Sequence, residues 1–137
     1  MVLDAWPLVR YALEQPEYVE VIGDLLRGPD PIVVSSINLG EVHYTVARRK
    51  GLASAEKIWD DICNRGKVEA PTLELTRNAA RIALTSRILW ADAHAAATAI
   101  AHGGVLWCGD KHLNKPGPWK RLDLRKPGMP PRTSRMK

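Results

Sequence analysis

Met1-Val2-Leu3-Asp4-Ala5-Trp6 opens the chain with three apolar residues that run straight into a carboxylate. Val2 to Asp4 reads as a short buried strand. A carboxylate there is a poor choice for packing, but open α/β sheets collect their ligands outside the carboxyl ends of their strands. Asp4 therefore predicts a sheet edge with a function. The remaining acids are judged by whether they reach the same edge.

Working outward from that strand, helices and short apolar runs alternate. Trp6, Val9 and Leu13 mark a helix over 6–14, with Pro7 in its first turn. Tyr18, Val21, Ile22, Leu25 and Leu26 form a second amphipathic stripe, stopped by Gly28-Pro29. Pro31 to Val34 is strand-like. A third helix runs from about Asn38 to Lys50, with Ser35, Ser36 and Asn38 as cap candidates, and ends in Arg48-Arg49-Lys50 before Gly51. Ser54 to Asn64 is a fourth, and Lys67 to Ala70 a short strand. Thr72 caps a helix carrying Leu75, Ala79 and Ile82. Trp90 to His102 is an alanine-rich helix closed by Gly103-Gly104. Val105 to Cys108 is the clearest later strand, and Trp119 to Leu124 reads as a last edge strand. This alternation predicts an α/β, Rossmann-like fold with a central, mostly parallel sheet flanked by helices. One domain is expected over 1–125. The basic, proline-containing segment 126–137 has no acid, which predicts a disordered tail.

Composition narrows the function. The chain has 137 residues, 45% of them hydrophobic and 26% charged, enough for one globular core. Its formal net charge of +5 and sequence pI of about 9.5 permit an anionic partner such as nucleic acid, while an inert basic surface fits equally. Cys63 and Cys108 are far apart in sequence, which argues against a disulfide scaffold or a zinc site. No apolar run approaches the roughly 20 residues of a membrane span, and no signal peptide is evident. A cytoplasmic location is the expectation.

Four acids stand in apolar surroundings: Asp4 after Val2-Leu3, Glu41 in Leu39-Gly40-Glu41-Val42, Asp92 in Trp90-Ala91-Asp92-Ala93, and Asp110 after Cys108-Gly109. Each lies at a predicted strand end or in the first turns of a helix. Carboxylates brought together repel, and a hard divalent ion such as Mg2+ or Mn2+ would offset that repulsion and activate a water for phosphoryl chemistry. Asn38 shares a helix face with Glu41. Gly109 offers the close backbone approach that a phosphate would need. Each residue also has an ordinary reading. Glu41 and Asp92 suit helix dipoles, Asp110 a turn, Ser36 or Asn38 a cap, and Asp4 a strand-end cap. His94 and His102 read as packing or surface residues, and His43 points away from Glu41. His112, two residues after Asp110, is a candidate contact to substrate or metal. No Walker A loop, H-E-x-x-H or serine nucleophile elbow is present.

Val2-Leu3-Asp4-Ala5, Ser36-x-Asn38-x-x-Glu41, Ala91-Asp92-Ala93 and Cys108-Gly109-Asp110 resemble, in order and spacing, the four acidic motifs of PIN-domain ribonucleases over roughly residues 1–124. The length and single-domain layout resemble the VapC-type toxins of type II toxin–antitoxin systems. The resemblance implies an endoribonuclease dependent on Mg2+ or Mn2+, with Asp4, Glu41, Asp92 and Asp110 around the metal and Ser36 and Asn38 as orienting groups. It also implies a homodimer and a cognate antitoxin whose C-terminal segment lies near the acids. Arg48, Arg49, Lys50, Lys111, Lys115, Lys120 and Arg121 are then candidate contacts to the RNA backbone. The chain departs from the family pattern at three places. His112 stands where many members have a further acid, and Cys108 where Thr or Ser is common. Ala5-Trp6 stands where Thr or Ser and a small residue are usual, which would put Trp6 at a pocket rim. Two alternatives remain from the residues alone: a basic module that binds RNA or protein without cleaving, and another Mg2+-dependent phosphohydrolase on a Rossmann-like sheet.

Overall fold

Short strands flanked by apolar helix stripes must bury both sheet faces, and this chain does so in three layers. The structure, a computed structural model, describes residues 1–109 and 111–125. In chain order it runs β1 (Val2–Leu3), α1 (Ala5–Ala12), α2 (Pro16–Arg27), β2 (Val33–Ser35), α3 (Ser36–Lys50), α4 (Leu52–Arg65), β3 (Lys67–Glu69), α5 (Leu73–Ser86), α6 (Trp90–Ala101), β4 (Val105–Cys108) and β5 (Lys120–Asp123). The expected alternation is present, with boundaries displaced by a few residues. The proposed tail, 126–137, lies outside the described residues.

The sheet order is β3-β2-β1-β4-β5, and every pairing is parallel. Val2 faces Val33 on one side and Leu106 on the other, while Leu3 faces Trp107. Side chains alternate across each strand, so two cores form. Leu3, Val34 and Trp107 pack with Leu8, Ile22, Leu25, Leu39, Val42, Val46, Ile58 and Ile62 from α1 to α4. Val2, Val33, Leu106 and Cys108 pack on the opposite face with Ala79, Ile82 and the alanines of α6. The small side chains of Ala93, Ala95, Ala96 and Ala99, all fully buried, suit a helix laid close against the sheet.

Strand order reverses between β1 and β4. From β1 the chain moves outward to β2 and β3, then returns across the sheet to β4 and β5. The carboxyl ends of β1 and β4 therefore flank the topological switch point, where the crossovers diverge and leave a crevice. Asp4 follows β1 at that point, its backbone N–H donating to the Trp107 carbonyl at 3.1 Å.

Of the three cap candidates for α3 it is Ser35 that caps the helix, its hydroxyl accepting from the Ile37 N–H at 3.3 Å. The helix starts two residues earlier than the sequence suggested, because Ser35 ends β2 and begins the helix without an intervening loop. Ser36 and Asn38 are thereby moved into the first helical turn.

Candidate active site

Three elements bring acids to the crevice. Asp4 is the cap residue of α1, Glu41 lies in the second turn of α3, and Asp92 lies in the first turn of α6. Asp4 and Asp92 are buried, 2% and 5% exposed, which is rare for carboxylates unless they are paired or ligating. Burial first, then the negative charges of Asp92 and Glu41, push the Asp4 carboxyl up to about 8. The N–H groups of Ala5 and Trp6 pull the other way but do not offset this. Asp4, Glu41 and Asp92 are thus brought together as expected. Asp110 lies outside the described residues.

Asn38 ties two of the elements together. It is fully buried, and its amide nitrogen donates to Glu41 Oε1 at 3.0 Å and to the Ala91 carbonyl at 3.1 Å. Both partners only accept, so the amide orientation is set and Oδ1 turns away from them. That Asn38 Oδ1 is buried without a hydrogen-bond partner, as is Asp4 Oδ1. Asp4 Oδ2, by contrast, accepts from the Trp6 N–H at 3.5 Å. Asp4 is therefore the cap that one reading expected, through one oxygen, while its other oxygen has no hydrogen bond. Ser36, half-buried, begins α3 at the same edge.

Two buried oxygens without donors, beside mutually repelling carboxylates, suit a hard divalent cation with oxygen ligands. Among the described residues, no group of three or more His, Cys, Asp and Glu side chains stands ready to hold an ion by itself. The fit therefore rests on Asp4 and Asn38 rather than on a closed cage.

Other sequence candidates lie elsewhere. Arg48, Arg49 and Lys50 end α3, and Arg48 is about 10 Å further along the axis than Glu41 at 1.5 Å per residue. Arg48 lies over the Tyr44 ring, and Lys50 is 3.9 Å from Glu14. Lys120 and Arg121 begin β5, opposite Val105 and Leu106, and so stand at the amino edge of the sheet. Lys115 donates to the Ser86 carbonyl near the end of α5. Lys111 is exposed and His112 half-buried in the segment after β4. The histidines expected to be structural are so placed. His94 is buried and bonded to the Trp90 carbonyl, His102 pairs with Glu69 at 2.7 Å, and His43 lies 3.6 Å from Glu56.

At Gly109 the side-chain position is taken by Trp6, since a Cβ built there would fall 2.3 Å from the ring, so the glycine makes room for the indole. Trp6 thus occupies the rim between β1 and β4, edge-on to Tyr18 at 5.1 Å. Sequence reasoning also missed Arg10, whose guanidinium lies 4.7 Å from the Trp6 ring centroid. The i, i+4 spacing of an aromatic and an arginine was the available signal. An open cavity of about 650 Å³ lies along α5 and α6, lined by Leu75, Ile82, Ala97 and Ile100 with Glu69 and Glu74, and is apart from Asp4, Glu41 and Asp92.

The family model of the PIN domain matches residues 1–117, and the chain belongs to that family. No curated protein sequence matches it significantly. Among solved structures it resembles VapBC2 from Rickettsia felis, bound to a DNA fragment from its promoter, with TM-score 0.71 and 19% identity over 89% of this chain and 96% of that one. It also resembles VapBC-1 from nontypeable Haemophilus influenzae, with TM-score 0.69 and 19% identity over 91% and 98% of the two chains. A third is Mycobacterium tuberculosis VapC20, a toxin that cleaves the sarcin–ricin loop, with TM-score 0.67 and 16% identity over 77% and 85%.

Proposed function

We propose that the chain is a metal-dependent endoribonuclease and the toxin of a type II toxin–antitoxin pair. The observation that carries this reading is the Asp4 carboxyl, buried at the switch point of a PIN fold and pushed up to about 8 with Asp92 and Glu41 beside it. Such a group is costly to maintain for structure alone. The similarity to VapBC and VapC structures supports the assignment of substrate class and of an antitoxin partner.

Asp4, Asn38 and Asp92, with Glu41 and the sequence-assigned Asp110, would hold Mg2+ or Mn2+. When bound, the ion supplies a water of lowered pKa and polarises a phosphate oxygen. Asn38 holds Glu41 and the first turn of α6 in register, which fixes Glu41 and Asp92 relative to each other. Glu41, half-buried and nearer solvent than Asp4, would take the proton of the attacking water. His112 is assigned to the substrate side of the loop after β4. The chain is assigned as a homodimer through the α5–α6 layer, where Leu73, Leu84, Leu89, Trp90 and Ile100 are exposed. No helix among the described residues is long and apolar enough to cross a membrane.

Cleavage of structured RNAs by the purified chain, with and without Mn2+, tests the enzyme reading. Cleavage that is lost with EDTA and in Asp4→Asn supports it. RNA binding that survives both changes, with no cleavage by the parent chain, would instead make it a binding module.

A further inference from the structure

A site built from buried acids repels the polyanion it is meant to cut, so a cation must stand at its rim. Of the cations suggested by the sequence, Lys111 is exposed in the segment after β4, but most of the others do not reach that place. Arg48, Arg49, Lys120 and Arg121 face the amino edge of the sheet, and Lys115 is bonded to Ser86. Arg10 does fill it. Helical side chains lean toward the N-terminus, and that of Arg10 returns to Trp6, at the start of α1. Trp6 is itself fixed by its N–H bond to Asp4, by Tyr18 at its edge and by Gly109 against its ring. Tyr18 in turn donates to the Leu124 carbonyl, beyond β5. The guanidinium is therefore held on a rigid support beside the residue that caps α1. Among the described residues no acid pairs with it.

Resting on the ribonuclease reading, we propose that Arg10, stacked on Trp6, binds an RNA backbone phosphate next to the one that is cleaved. A stacked guanidinium keeps its edge donors free, so it can grip a phosphate in two-point fashion while the ring limits its motion. Arg10 lies outside the four acidic motifs, and Trp6 departs from the first of them. Together they set where the strand enters relative to Asp4.

Binding of a single-stranded RNA oligonucleotide is measured in the Asp4→Asn chain, which removes cleavage, across salt from about 50 to about 300 mM. Adding Arg10→Gln should weaken binding about five- to tenfold at the low end and reduce the log–log salt slope by about 0.7, the loss of one phosphate contact. Arg10→Lys should keep the slope and bind with intermediate affinity. Lys57→Gln, on the exposed side of α4, should change neither. Unchanged affinity and slope in Arg10→Gln overturn the proposal. That is also the result expected if the guanidinium served an acidic segment of a protein partner. Failure of the parent chain to bind RNA overturns it as well. Cleavage is scored separately in the parent chain. Arg10-dependent binding without cleavage would sink the enzyme reading and leave this contact standing, whereas cleavage with Arg10→Gln binding normally would do the reverse.

Discussion

Oδ2 of Asp4 bonds to the start of α1 while Oδ1 has no donor, so the carboxyl group is half structural and half in reserve. Its ordinary value is 3.8, and the fold raises it to about 8. Between those values the folded chain holds a proton that the unfolded chain has released. The contribution of Asp4 is thus fully present below about 4 and is lost as pH rises toward 8. In EDTA, Asp4→Asn should be more stable than the parent at pH 8, with the gap closing toward pH 4, as denaturant titrations would read. A gap that does not depend on pH would contradict the burial argument. An ion binding here must displace that proton. Apparent Mn2+ affinity, measured by calorimetry, should fall about tenfold per pH unit below 8, and affinity independent of pH would place the ion elsewhere. Asn38→Ala leaves Glu41 and the Ala91 carbonyl short of a donor, which should cost about 1–3 kcal/mol in stability and lower activity. Although each also had an ordinary reading as a cap, a turn or a dipole partner, the candidate acids were legible from their apolar surroundings. That Asn38 serves Ala91 as well as Glu41 was not, since the second partner is 53 positions away.

At the scale of elements, α1 and the β4 end are locked by Trp6 against Gly109. Gly109→Ala places a methyl inside the indole, at a cost of about 1–3 kcal/mol in stability with loss of activity. Trp6→Leu in the same chain should recover part of the stability. If Gly109→Ala is silent, or if Trp6→Leu adds to the damage, the lock is not there. The order of helices and strands was readable from apolar periodicity and Gly-Pro punctuation, and β4 was read to the residue. Boundaries shifted where a strand passed directly into a helix, as at Ser35, because hydrophobic pattern alone does not locate a cap. The basic residues ending α3 illustrate a further limit. Their charge was plain, but the sequence could not say that helix direction carries them away from the acids. Arg10 was overlooked for the converse reason, since a lone arginine acquires meaning only from the ring beneath it.

For the molecule as a whole, the parallel sheet separates two roles. The carboxyl edge of β1 and β4 holds the acids, while the α5–α6 layer exposes Leu73 at 92% and Leu84 at 80%, far more than side chains of that size need. Sedimentation should show a dimer that Leu73→Lys with Leu84→Lys converts to monomer; a monomeric parent, or a dimer indifferent to both changes, would refute that surface. The central claim concerns the opposite edge, and it is tested most directly by incubating the purified chain with structured RNA and Mn2+ beside its Asp4→Asn variant. Discrete internal cuts by the parent, absent with EDTA and absent in Asp4→Asn, are the expected result. Equal cleavage by both proteins, or none by either at any Mn2+ concentration, would contradict the claim that Asp4 belongs to a metal-dependent ribonuclease site.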